Sequence, residues 1–237
     1  LRITHTLYLF ELPDMNFDRV APWFERLEKI VFGDQMQVCR TAFLSDLPAI
    51  KKAALIGEGN GTFLAQFLKH CDCEEIHYID SSKKMLDLAQ KQFQMNVFPG
   101  LERMVFYHLD LSLDVMPDQN YDLVVTNFFL DVFNGATLNN VVSKIASACT
   151  RDAHWLYADF QVTGNRFQRC RAIAWVKTMY LFFRLAADIQ TMKLTNPSAL
   201  LDRNGFQIKW FKEFDNGLMR AEIRQRKDEF VRDAGLF

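Results

Sequence analysis

Three glycines at alternate positions, Gly57, Gly59 and Gly61, follow the apolar run Ala53-Ala54-Leu55-Ile56 and lead into a helical pattern that starts at Thr62. Glycine tolerates positive φ and has no Cβ, so a strand that passes through such a turn into a helix lets backbone approach a ligand closely. The next apolar run, Ile76 to Ile79, stops at Asp80, about twenty residues after the glycines, where a carboxylate can accept hydrogen bonds from both hydroxyls of a ribose. A third run, Met104 to Leu109, stops at Asp110-Leu111, and a fourth, Tyr121 to Thr126, stops at Asn127. Singly, each has an ordinary explanation: a tight turn for the glycines, a helix cap or solvated turn for Asp110. Successive strand ends that all bear suitable groups point instead to one ligand that carries a ribose.

The spacing also bears on which ligand. A dinucleotide fold needs G-x-G-x-x-G with the pyrophosphate at a helix N-terminus. Here the pattern is G-x-G-x-G, Thr62 stands where the last glycine of that pattern falls, and Glu58 inside the loop would repel an anionic pyrophosphate. A sulfonium ligand with an ammonium group is compatible with that carboxylate.

The elements that must position these groups alternate regularly. Apolar runs at 53–56, 76–79, 104–109, 121–126 and 154–158 read as strands covered on both faces, and helical patterns at 62–70 and 82–95 separate the first of them. Right-handed crossovers then make the sheet parallel. The pattern breaks at the end, where Phe206 to Phe214 and Leu218 to Arg226 alternate on either side of Asp215-Asn216-Gly217, a hairpin signal. The fold class expected is therefore α/β: a doubly wound, mostly parallel, seven-stranded sheet that ends in an antiparallel hairpin. One domain over 1–237 is expected, with an N-terminal helical cap over 1–48, a core over 50–226 and a helical lid or interface segment over 165–190.

These motifs together resemble the class I S-adenosylmethionine-dependent methyltransferases over about residues 50–226: Gly57-Glu58-Gly59-Asn60-Gly61, Asp80, Asp110-Leu111, Tyr121-Asp122-Leu123-Val124-Val125-Thr126-Asn127 and the terminal hairpin. The resemblance implies a Rossmann-like fold and S-adenosylmethionine as cofactor. By it, Gly57, Glu58, Gly59 and Gly61 contact the methionine and ribose parts, Asp80 the ribose hydroxyls, Asp110 the adenine amino group, with Leu111 near the ring, and Asn127 the amino-acid end or the substrate side. The stretch Asn16 to Phe24 is similar to the N-terminal region of ubiquinone and menaquinone methyltransferases. Two departures stand out. Leu55 occupies the position where the family has an acidic residue, and Asn127-Phe128-Phe129-Leu130-Asp131-Val132-Phe133 replaces the Gly-Leu-Arg-Asn type sequence of the quinone-ring enzymes, so that substrate is not carried over.

Methyl transfer from a sulfonium is an in-line displacement that alignment and exclusion of water can accelerate, and a base is needed only where the acceptor must lose a proton. His5, Asp131 and Asp159 are the polar candidates for that role, each with a structural role as its ordinary explanation. No metal-ligand constellation stands out, so no metal is expected. Between residues 167 and 189, Trp175, Met179, Tyr180, Phe182 and Phe183 give an aromatic-rich helix, read either as core or a homodimer surface, or as the lining of a pocket for an apolar or aromatic small molecule. A net charge of −1 over 237 residues offers no basic face for duplex nucleic acid. Five scattered cysteines and the lack of a long apolar run favour reduced thiols, no transmembrane segment and a cytoplasmic location. Two other readings of the chain are a non-catalytic binding module with a methyltransferase-like fold and an NAD-dependent oxidoreductase.

Overall fold

A computed structural model describes residues 34–95, 103–161 and 196–227. Within them, seven strands form one sheet: β1 (Lys52–Ile56), β2 (Glu75–Asp80), β3 (Met104–His108), β4 (Tyr121–Asn127), β5 (Cys149–Phe160), β6 (Phe206–Phe214) and β7 (Met219–Arg226). Their order across the sheet is β3-β2-β1-β4-β5-β7-β6. The first five run parallel, and the hairpin β6–β7 joins antiparallel through β7, which pairs with β5. This is the doubly wound, mostly parallel sheet with a terminal hairpin that the sequence pattern requires.

Burial explains the composition of the central strands. β1, β2 and β4 lie between two helical layers, so both faces must be apolar, and Ala53, Leu55, Ile76, Leu123 and Val125 on one face match Ala54, Ile56, Ile79 and Val124 on the other. Helices α2 (Thr62–His70) and α3 (Lys83–Met95) cover the first face with Phe63, Leu64, Phe67, Leu86, Ala89 and Phe93. The Ser82 hydroxyl accepts from the Met85 N–H at 3.2 Å, satisfying one of the first-turn donors of α3. Helix α4 (Gly135–Ser147) covers the opposite face with Leu138, Val141, Val142 and Ile145, a helical spacing of apolar residues. A short helix, α1 (Gln35–Arg40), packs Met36 and Cys39 against the hairpin side of the sheet, and another, α5 (Ser198–Arg203), places Leu201 in the α4 layer.

The strand expected over 154–158 extends in fact from Cys149 to Phe160. A register shift between Tyr121 and Leu123 lets Cys149 pair with Tyr121 before regular pairing resumes at Leu123 and His154. Of the N-terminal cap, α1 and a 3₁₀ turn at Leu44–Asp46 lie among the described residues. The segment 165–190, with Trp175 and Tyr180, lies outside them. Cys39, Cys71, Cys73 and Cys149 are free and buried. Burial pushes the thiols up to about 12 for Cys39, Cys71 and Cys149 and about 11 for Cys73, so at neutral pH they are protonated and packed as small apolar groups. No helix among the described residues is long and apolar enough to cross a membrane.

Candidate active site

Crossovers to the β2–β3 side and to the β5 side diverge between β1 and β4, which makes the gap beyond their carboxyl ends the topological switch point, the place where such sheets bind ligands. The chain leaves β1 there through Gly57, Gly59 and Gly61, all at positive φ (68°, 66° and 90°). Only two of the three are required by internal packing. A Cβ at Gly57 would lie 2.3 Å from the ring of Phe129, and one at Gly61 would lie 3.0 Å from the Cα of Ala89 on α3. At Gly59 the nearest such atom is the Met85 sulfur at 3.8 Å, so side-chain crowding does not explain this glycine.

Two side chains from β2 fix the loop. The Tyr78 hydroxyl donates to the Gly59 carbonyl at 2.9 Å, and the Gly59 N–H donates to Asp80 Oδ2 at 3.3 Å. Residues 78 and 80 share a strand face, so the alternation that sets Asp80 toward the loop also sets Tyr78 there. That alternation was the available signal for Tyr78, which the sequence reading did not single out. Burial, with Glu58 and Asp80 nearby, holds its phenol far above the ordinary tyrosine range, so it acts as a neutral donor. The other oxygen of Asp80 accepts from the Ser82 N–H at 2.8 Å.

Across the gap, Asn127 at the end of β4 donates from Nδ2 to Glu58 Oε1 at 3.0 Å, and both residues are buried. Glu58 thus places a carboxylate at the mouth of the switch point, whereas Leu55, at the family's usual acidic position, is wholly buried in the core. The residue after β4, Phe128, has φ of 52°, a left-handed conformation that costs a bulky residue about 1–3 kcal/mol. Its N–H donates to the Ala158 carbonyl at 2.7 Å and its ring packs at a tilt of 53° against Phe160, 4.8 Å between centres, with the Arg40 guanidinium 5.2 Å from the ring centre.

The other sequence candidates separate. Asp110 is half-buried and its Oδ1 accepts from both the N–H and hydroxyl of Ser112, an Asx turn after β3, while Leu111 is packed in the core against the α4 layer. Asp131, on the 3₁₀ turn Leu130–Val132, and Asp159, near the end of β5, are brought together in a buried pair. Burial pushes Asp131 up to about 6, and burial together with Asp131 raises Asp159 further. His5 lies outside the described residues.

The profile of a methyltransferase domain matches residues 55–155, which span the glycine turn, Asp80, Asn127, Asp131 and most of β5. Residues 55–155 read as a methyltransferase domain. No curated protein matches the chain at a significant level. Among solved structures it is similar to the mitomycin 7-O-methyltransferase MmcR, with a TM-score of 0.64 and 14% identity over 89% of this chain and 60% of that one. It is similar also to an O-methyltransferase family protein of Burkholderia thailandensis, with a TM-score of 0.64 and 17% identity over 90% and 63% of the two chains. The N-methyltransferase NodS of Bradyrhizobium japonicum, solved with S-adenosyl-L-homocysteine, matches with a TM-score of 0.55 and 12% identity over 87% and 88%. At these identities the likeness shows the fold, and the chain spans about 60% of the length of the mitomycin enzyme.

In this methyltransferase domain the glycine turn makes a direct structural prediction. Gly61→Ala forces a Cβ onto α3 backbone at positive φ and should lower stability by about 1–3 kcal/mol in urea unfolding. Gly57→Ala meets a side chain instead, so the added change Phe129→Ala should relieve the 2.3 Å clash and recover part of its loss. Equal losses for Gly57→Ala with and without the Phe129 change would contradict that origin. At the opposite, amino edge of the methyltransferase sheet, Glu75, His77 and Asp118 converge within 4.8 Å. The ammonium of Lys52 pairs there with Glu75 at 3.2 Å and with Asp118, and both His77 nitrogens are engaged, by Glu75 and by the Tyr121 hydroxyl.

Proposed function

We propose that this protein transfers the methyl group of S-adenosylmethionine to a small acceptor. The observation that carries the reading is the loop at the switch point: Gly59 is unobstructed, Asp80 stands over it, and the Glu58–Asn127 pair lines the far side. A nucleoside fits this arrangement with its ribose hydroxyls at Asp80 and its backbone-facing part at Gly59. Glu58 favours a cationic methionine end, its carboxylate being already desolvated and so a stronger partner for an ammonium group than one in water. The same carboxylate opposes the pyrophosphate of NAD. The structure of NodS with S-adenosyl-L-homocysteine supports the cofactor, and the mitomycin enzyme supports a small acceptor.

In that reading the chain supplies binding and alignment. The Tyr78 and Asp80 hydrogen bonds hold the loop before the ligand arrives, which lowers the ordering cost of binding. The aromatic residues beyond β4, Phe128, Phe129 and Phe133, with Phe160 of β5, give an apolar border that favours an apolar or aromatic acceptor and keeps water from the sulfonium. Isothermal calorimetry on the purified chain with S-adenosylhomocysteine, S-adenosylmethionine and NAD tests the cofactor. Micromolar binding of the sulfur compounds without NAD binding is expected; NAD binding alone would replace this reading with that of an oxidoreductase, and no binding of any would leave a non-catalytic module.

A further inference from the structure

Asp131 and Asp159 reach each other from different elements, the turn after β4 and the last residues of β5, on the α4 side of the sheet. Their exposures are 4% and 2%. Their carboxyls lie close enough for each to shift the other's titration, and two carboxyls buried side by side cannot both stay ionised, so one of them holds a proton. Asp159 Oδ1 accepts from the Phe160 N–H at 2.9 Å, and the phenol of Tyr157, two residues earlier on the same strand face, lies beside the carboxyl. Among the described residues, Glu222 and Arg224 on β7 lie near Tyr157 beside the pair, Arg220 is the sheet partner of Asp159, and Cys39 of α1, with its neighbour Arg40, comes near Asp159. Glu222 is paired with both Arg220 and Arg224, so these two cations are already engaged beside the carboxyls.

The location gives the pair a use. Asp159 follows directly on Ala158, the sheet partner of Asn127, and Asp131 lies four residues beyond Asn127. Both therefore flank the carboxyl end of β4, at the edge where Asn127 meets the glycine loop. A buried pair of carboxyls that shares a proton is a stronger base than a carboxylate in water, and its charge changes from −1 to 0 when it accepts a second proton. We propose that Asp131 and Asp159 share one proton and together form the proton acceptor of the site, for an acceptor molecule that arrives with a hydroxyl on an aromatic or apolar frame. The inference rests on the methyl-transfer reading above. In the step, the acceptor O–H bond breaks and its proton passes to the pair as the new O–C bond forms. The S–C bond breaks with its electrons going to sulfur, the pair becomes neutral, and its extra proton is later lost to water.

Infrared spectroscopy of the unliganded chain at pH 7 should show the carbonyl stretch of a buried carboxylic acid, and Asp131→Asn and Asp159→Asn should each remove it. Absence of that band, or its survival in both variants, overturns the shared proton whatever the cofactor proves to be. A second readout is thermal stability. The folded pair holds a proton that the unfolded chain releases near pH 4, so its contribution falls as pH rises above that value; Tm should drop less between pH 5 and pH 9 in Asp159→Asn than in the parent. For catalysis, labelled S-adenosylmethionine and a series of substituted phenols serve as probes. Asp131→Asn should keep S-adenosylhomocysteine affinity within about two-fold yet lower transfer by about 100-fold, and the rise of the parent rate with pH should be lost. Unchanged transfer and pH profile in the variant overturn the base role. S-adenosylhomocysteine binding by the parent without transfer to any phenol overturns the acceptor class, whereas failure of the parent to bind S-adenosylhomocysteine overturns the methyl-transfer reading itself and, with it, the role given to the pair.

Discussion

Replacing Asp80 by alanine should weaken S-adenosylhomocysteine binding by about 100-fold or more. Hydrogen bonds to a charged group contribute about 1.5–3 kcal/mol each, and a carboxylate that accepts from two vicinal ribose hydroxyls loses both at once; 100-fold corresponds to about 2.7 kcal/mol. The same substitution releases the Gly59 N–H and the Ser82 N–H, so the loop would also lose a fixed geometry. Asp80→Asn separates the two effects, since its amide oxygen can still accept from one backbone donor while the charge is gone. About ten-fold weakening is expected for that variant. Tyr78→Phe, which removes the bond to the Gly59 carbonyl without touching the carboxylate, should fall nearer to wild type. Calorimetric affinities for the three variants, read beside their unfolding midpoints, check the order. Equal affinity in Asp80→Ala and the parent would move the ribose elsewhere.

The largest loss of stability is expected at Arg224, which is fully buried on β7. Its guanidinium pairs with Glu222 and Asp202, donates to the Phe206 carbonyl at 2.9 Å and meets the Ser198 hydroxyl. These contacts join α5, β6 and β7, so a single side chain ties the hairpin to the helix before it. Arg224→Met should cost about 3–5 kcal/mol, because Glu222, with 3% exposure, then keeps a buried charge with one cation fewer. Removing both charges is a different matter, since a buried ion pair often does no better than apolar residues of similar volume. The double variant Arg224→Met with Glu222→Leu should therefore regain at least half of the loss, less the cost of an undonated Phe206 carbonyl. Urea unfolding of the single and double variants distinguishes this from a simple packing defect, in which the second change would add to the first.

Most of the sheet was legible because its signals are local. Fully apolar runs that stop at Asp80 and Asn127 mark parallel strands directly, and Asp215-Asn216-Gly217 sits where the chain turns, with Asp215 and Asn216 at positive φ. The extent of β5 was not legible, since Thr150, Arg151 and Asp152 look like loop residues and become strand only through the register shift opposite Tyr121. Helix α4 carried a signal at Leu138, Val141, Val142 and Ile145 that went unused, whereas the six-residue α5 is too short for periodicity to show. At the site, the glycines were found as a motif, but that Phe129 and Ala89 account for two of them is a matter of tertiary approach. Asp131 and Asp159 could be named as polar strand-end residues. That they touch could not, because 28 positions separate them and only the parallel β4–β5 pairing brings those ends level.

The position of β7 governs the order in which the molecule can be assembled as it is synthesised. β5 borders β7, so the later of the two hairpin strands, not the earlier, must lie against the parallel sheet. While residues 206–214 emerge, the free edge of β5 offers them no lasting place, since a strand added there would have to leave again. The hairpin itself is local and closes in microseconds, so β6 and β7 can pair first and dock as a unit once Arg226 is out. Until then Trp155, which in the finished protein meets Phe206 edge-on at 5.0 Å, lacks that cover. A ribosome-bound chain halted before β7 should accordingly expose an apolar flank at β5 and be the form that chaperones hold, with release coming in one late step.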